Sequence, residues 1–253
     1  MLNLHLRRWI ILLALIAAFV ILIAQESFWG NVLSSLFPDE SEVLYPRAGL
    51  STLVWEHIQL VIISSGLTIL IGLPLGIWVT RESGKDFLPL VTDLTSFGQT
   101  FPPIAVLALA VPVMGFGREP TILALFLYGL LPVVRNTIAG LQHVPRDTLD
   151  AAYGMGMSRL QALFLIEFPL ALPVIITGIR ISVIINIGTA TVGALFGAGG
   201  LGSPIVAGMS AQRNSAFILE GAVPAAILAI LADQLFATIE SMFAYSPSKQ
   251  YQP

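Results

Sequence analysis

Residues 142–168 read QHVPRDTLDAAYGMGMSRLQALFLIEF, a polar interruption between two long apolar runs. Pro145 can open a helix, because the N–H it lacks is not needed in a first turn. The spacing predicts a short helix over 146–153, weakened at Gly154 and Gly156, and a second helix opening at Arg159 with Ser158 as its cap. Leu160, Leu163, Phe164 and Glu167 follow at helical spacings. The result is a helix–turn–helix bracket, too polar to span a bilayer and too regular for a slack linker.

The flanking sequence says what the bracket interrupts. Of 253 residues, 56% are hydrophobic and 11% charged, and the mean hydropathy is +0.86. A soluble core of this length cannot hide so much apolar surface, so the chain is an all-α integral membrane protein and no ordinary soluble enzyme. Apolar runs predict six transmembrane helices, at Trp9–Gln25, Ile58–Val79, Phe87–Val113, Thr121–Leu141, Pro169–Ala194 and Ala216–Phe243. Asp93 and Pro102-Pro103 interrupt the third. A net charge of −3 offers no basic surface for nucleic acid, and the absence of cysteine excludes disulfides and thiolate chemistry.

Charge asymmetry orients the spans. With the N-terminus inside, the inner segments hold Arg7, Arg8, Arg81, Lys85, Arg135, Arg146, Arg159 and Lys249, against Arg47, Arg118 and Arg213 outside. Both termini are therefore expected in the cytoplasm. The first run has the look of a signal peptide, but Leu22-Ile23-Ala24 lacks the small residue that cleavage would want, so it reads as an uncleaved anchor. The acidic stretch after it, residues 25–50, reads as an external loop. Trp9, Trp29, Trp55 and Trp78 fall near span ends, where indole suits the headgroup region.

The bracket also carries a resemblance. Asp150-Ala151-Ala152, three residues, Gly156, nine residues and Ile166-Glu167-Phe168-Pro169 resemble the EAA loop of ABC importer permeases, whose pattern is Glu-Ala-Ala, three residues, Gly, nine residues, Ile-x-Leu-Pro. Asp150 replaces the family's Glu and Phe168 its Leu, with chemical type kept. Segments 99–102 (QTFP), 127–132 (LYGLLP), 154–158 (GMGMS) and 197–202 (GAGGLG) are most similar to permeases of osmoprotectant importers for glycine betaine, choline or carnitine. Methionine and other small-solute permeases share parts of this pattern and stay open as an alternative.

The resemblance implies a type I ABC importer permease fold over residues 56–243, preceded by an anchor and acidic loop over 1–55 and followed by a cytoplasmic tail over 244–253. It also implies separate ATPase subunits, a second permease subunit, an external solute-binding protein and a place in the bacterial inner membrane. This chain would bind no cofactor, with ATP used by the partner, and would catalyse nothing. Small Ala151 and Ala152 would let a helix sit deep in a partner's groove. Arg146 and Asp150 would fix its register, Gly156 the turn, and Ser158 and Arg159 the second helix. A secondary transporter without an ATPase, or a scaffold that moves nothing, would have no evident need of such a bracket.

Other motifs weigh less. The glycine run 197–202 matches G-x-G-x-x-G by letter but lacks the βαβ context, and reads as a bend or hinge. Gly84-Lys85-Asp86 lacks the rest of a phosphate loop, and His5, His57 and His143 are too dispersed to suggest a metal site. Arg180 and Asp233 sit at matching depths, which predicts an intramembrane ion pair. Pathway candidates are Gln99, Thr100 and Phe101 before the proline pair, and Asn186, Thr189 and Thr191 in the fifth span. For Asn186 and Thr189, three apart on one helix face, ordinary helix–helix hydrogen bonding is an equal alternative.

Overall fold

The computed structural model describes residues 2–210 and 213–243. The tail over 244–253, with Lys249, lies outside the described residues. Eleven α-helices are described: α1 Leu2–Ala24, α2 Glu26–Leu36, α3 Leu50–Val79, α4 Leu88–Thr100, α5 Pro103–Met114, α6 Arg118–Gln142, α7 Arg146–Gly154, α8 Arg159–Ala162, α9 Phe168–Gly193, α10 Gly202–Gly208 and α11 Ser215–Phe243. Helices α1, α3, α6 and α11, and the continuous stretch containing α9, are long and apolar enough to cross a membrane.

The third span is not one helix. Phe101 and Pro102 are extended, with ψ of 136° and 140°, and the halves α4 and α5 meet at 93°. Proline at 102 and 103 removes two backbone donors and pushes the residue before each out of the helical region. Neighbouring helices fix what the broken pair does. Gln59 near the start of α3 accepts a hydrogen bond from Arg118 at the start of α6, and Gly72 and Gly76 of α3 lie against Val133 and Thr137 of α6. Helices α3 and α6 therefore run parallel, so the chain between Val79 and Arg118 must change faces. The pair α4/α5 makes that crossing, since 13 or 12 residues alone would reach only about 18–20 Å.

Helix α9 runs back against α6, with Gly140 beside Ala171 and Gly193 beside Thr121. Helix α11 reverses again, with Gly221 against Leu201 and Asp233 against Arg180. The end of α1 (Phe19, Ile23) joins Leu50, Leu53 and Ala216 in one apolar cluster. Six crossings alternate in direction, so α1 begins and α11 ends on the face where α3 and α6 end and α7 lies.

A further expectation needs correction. The acidic stretch is not a loop throughout: α2 buries Trp29 and Leu33, and Trp29 Nε1 donates to the Leu22 carbonyl at 3.0 Å. Trp29 is thus a core residue rather than a headgroup anchor, because its indole folds back over the end of α1. At the glycine run, read as a bend or hinge, the structure shows a bend. Gly197, Gly199 and Gly200 have φ of +83°, +81° and +72°, and Gly200 N–H donates to Glu56 at 2.9 Å with its Cα packed against His57.

Candidate functional site

The bracket forms as its residues dictate. Helix α7 starts after Pro145, and Gly156 supplies the turn with φ of +86°. Ser158 and Gln161 cap each other: the Ser158 Oγ accepts from Gln161 N–H at 3.3 Å, and the Gln161 Oε1 accepts from Ser158 N–H at 2.8 Å. The second arm does not stop before a separate fifth span. Helix α8 passes through a π-helical turn, Leu163–Glu167, directly into α9. Pro169 and Pro173 cannot donate to the preceding turn, and the wider π turn absorbs the first of these gaps. A single rod thus links the bracket to the membrane interior.

One face of α7 is spent inside the chain. Ala152 is buried within this chain, on the helix that packs against α8 and the π turn, so its side chain is not free to enter a partner's groove. Arg146, Asp150, Ala151, Tyr153 and Arg159 are exposed, as are Gly156 and Ser158 around the turn. Helical periodicity places 151 and 152 on adjacent faces, and only packing could decide which turned inward.

A contact not foreseen from sequence ties the bracket down. Arg81, in the turn after α3, donates through Nη1 and Nη2 to Glu167 at 2.9 and 2.6 Å, a bidentate pair. Its Nε and Nη2 also donate to Thr80 Oγ1, at 3.1 and 3.0 Å. Glu167 is 3% exposed, on the π turn. Nearby, the hydrogen bond from Lys85 holds the Glu82 carboxyl below its usual range, with the charges of Lys85 and then Arg159 adding to it. The only sequence signal for the clamp was the isolated Glu167 at the end of an apolar run.

Between the helices, the pathway candidates separate. Pro132 leaves the Tyr128 carbonyl of α6 without its helical donor, and Gln99 Nε2 fills the gap at 2.6 Å. Gln99 therefore staples α4 to α6. Thr100 caps back onto Ser96, and Phe101 lies exposed edge-to-face on Phe97 with ring centroids 5.0 Å apart. Asn186 is fully buried, donating to Ser65 Oγ at 3.0 Å, so it serves α3–α9 packing and not an open pathway. Thr189 is off that buried stripe, and Thr191 donates to the Gly188 carbonyl at 2.7 Å.

Arg180 meets Asp233 through Nε at 2.7 Å and Nη2 at 2.6 Å, and Glu240 lies 3.5 Å from Nη1. Glu240 was not anticipated. It stands seven residues beyond Asp233, two helical turns along the same face of α11. The bracket, the clamp and this triad all lie along α9 and its extension, whereas Gln99, Thr100 and Phe101 sit at the break across α6.

Comparison with known proteins bears on what such an arrangement is for. Residues 72–244 match the family described as "Binding-protein-dependent transport system inner membrane component". The chain is 40% identical over 228 residues to the "Osmoprotectant import permease protein OsmY" of Salmonella typhimurium, covering 90% of each. It is 41% identical over 186 residues to the "Carnitine transport permease protein OpuCD" of Listeria monocytogenes, covering 74% of this chain and 82% of that protein. Among solved structures, an inward-facing MetNI methionine ABC transporter matches with a TM-score of 0.70 and 23% identity, over 77% of this chain and 96% of that one.

Proposed function

Because this chain belongs to the family of binding-protein-dependent transport system inner membrane components, we propose that it is the permease subunit of an ABC importer for a quaternary-amine osmoprotectant such as glycine betaine, choline or carnitine. The observation that carries this reading is the 145–167 bracket, a rigid lever whose exposed face is free for an ATPase and whose other end is α9 itself. The names of its relatives support the substrate class.

In this reading the bracket face is cytoplasmic, as the distribution of arginine and lysine favours, and the membrane is the bacterial inner membrane. Arg146, Asp150 and Ala151 engage an ATPase subunit, and Gly156, Ser158 and Arg159 hold the lever's shape. When two ATPase subunits close on ATP, they draw two brackets together, and the rods they belong to open the pathway outward. Solute then arrives from an external binding protein, and hydrolysis resets the pathway inward. This chain supplies no hydrolytic residue and binds no cofactor; it converts the partner's motion into access across the membrane. Residues 1–55 form a peripheral anchor and outer layer around the transport unit of 56–243.

Uptake of labelled glycine betaine, choline, carnitine and methionine, in cells with and without this subunit, tests the proposal. The binding protein and ATPase are kept and other routes deleted. Loss of quaternary-amine uptake alone supports it. Loss of methionine uptake alone overturns the substrate class, and no change in an assembled system overturns the osmoprotectant reading.

A further inference from the structure

On the face opposite the bracket, α2, residues 44–50 and α11 enclose a cavity of about 350 Å³, room for roughly ten waters at ~30 Å³ each. Its wall includes Trp29, Tyr45, Glu26 and Glu220. Glu220 is 2% exposed and comes from within α11. Its Oε2 accepts from the Tyr45 backbone N–H at 2.7 Å, while its Oε1 accepts no hydrogen bond among the described residues. Glu26 reaches over Gly49, where a side chain would strike its Oε1 at 2.5 Å. Among the described residues neither carboxylate forms a salt bridge, although Arg47 stands at the cavity mouth.

A buried carboxylate without a cation is costly, and exposed Glu26 beside the same cavity adds like charge to buried Glu220. The cavity is too large for a bare metal ion, and Trp29 and Tyr45 are among the residues that line it; aromatic rings attract a cation whose charge is spread over methyl groups. Tyr45 is held in place by an edge-to-face contact with Phe217 at 6.0 Å, and Trp29 by its bond to Leu22, so neither ring must be ordered on binding.

We propose that this cavity binds a small organic cation with a quaternary ammonium head, with Glu220 and Glu26 opposing the charge and Trp29 and Tyr45 walling the methyl groups. The choice of ligand rests on the osmoprotectant reading above. An occupied cavity would strap the outer layer, residues 26–49, to α11. Arg47 at the mouth gives a carboxylate-bearing ligand a second point of attachment that choline cannot use.

The test is equilibrium binding of tritiated choline and tritiated glycine betaine to the full chain in lipid nanodiscs, without binding protein or ATPase. Saturable binding is expected, weakened at least about tenfold by Glu220→Gln and several-fold by Glu26→Gln. Glu26 is exposed, so its variant decides the matter should Glu220→Gln fail to accumulate. Absence of saturable binding at millimolar ligand, or binding unaffected by either substitution, overturns the site. Equal displacement by potassium chloride at matching concentration overturns the organic-cation assignment. Since binding is read without transport, subunit-dependent uptake with no binding would sink the site and leave the permease reading standing. Binding without such uptake would do the reverse.

Discussion

Replacing Arg81 should cost more than replacing Glu167, although the two share one contact. Arg81→Ala leaves a carboxylate whose side chain is 4% exposed without its counter-charge, whereas Glu167→Gln leaves a guanidinium 29% exposed that can turn to water. Removing one partner of a buried pair costs about 3–5 kcal/mol, and the partial exposure of Arg81 sets the expectation at the lower end, about 3 kcal/mol. Glutamine keeps one acceptor for the guanidinium, so Glu167→Gln should cost about 1 kcal/mol. For a chain of this size those values correspond to a thermal midpoint lowered by about 6–12 °C and about 2–4 °C respectively. The double variant should be more stable than Arg81→Ala alone, because the orphaned charge is gone. The assay is thermal unfolding of the purified chain for both singles and the double, beside uptake in cells at a permissive temperature. Equal losses for the two singles, with the double at their sum, would refute the reasoning.

Other substitutions read other parts of the lever. Nothing lies within 4 Å of a Cβ placed at Gly156, so the turn is open at that position; Gly156→Trp and Asp150→Arg should each abolish uptake while the subunit stays in the membrane. Normal transport by both variants would remove the coupling role from the bracket. Gly156→Ala, which must hold φ at +86°, should lower stability by about 1–2 kcal/mol, read from denaturation of the purified chain. Charge reversal at Arg180 should be rescued in part by reversal at Asp233, and Asp233→Asn should be milder than Arg180→Ala, since Glu240 remains 3.5 Å from the guanidinium. Uptake measured across that set checks both orders. Gly178→Ala drives a methyl group to 2.6 Å from the Pro132 carbonyl oxygen, so the α6–α9 contact should loosen at a cost of about 1–3 kcal/mol and accumulation should fall.

Several features were legible in the residues because local physics dictates them. An apolar run of some twenty residues has few places to go except a bilayer, so the crossings could be counted without coordinates. Pro145, Gly156 and Ser158 act on their own backbone, and the bracket's first helix, turn and cap follow from them. Arg180 and Asp233 are 53 positions apart, yet their shared depth in a medium hostile to charge restricts what each can meet. Trp29 misled because an indole near a span end suits either a headgroup region or a core, and only the fold-back of α2 chose between them. Asn186 was open between pathway and packing: a polar residue on an apolar helix can face water or a neighbour's hydroxyl, and Ser65, which accepts its hydrogen bond, comes from a helix 121 positions away.

The sequence by itself therefore determined the solvent, the number of crossings and the bracket, since each rests on composition or on contacts within a turn or two of helix. Tertiary structure alone decided that the broken span changes faces, because that depended on α3 and α6 running parallel. It also decided that Gln99 closes the gap left by Pro132, that Ala152 turns inward, and that Arg81 reaches Glu167 across 86 residues. Such pairings are settled by which helix faces pack together, and no local periodicity encodes the identity of the neighbour across the contact.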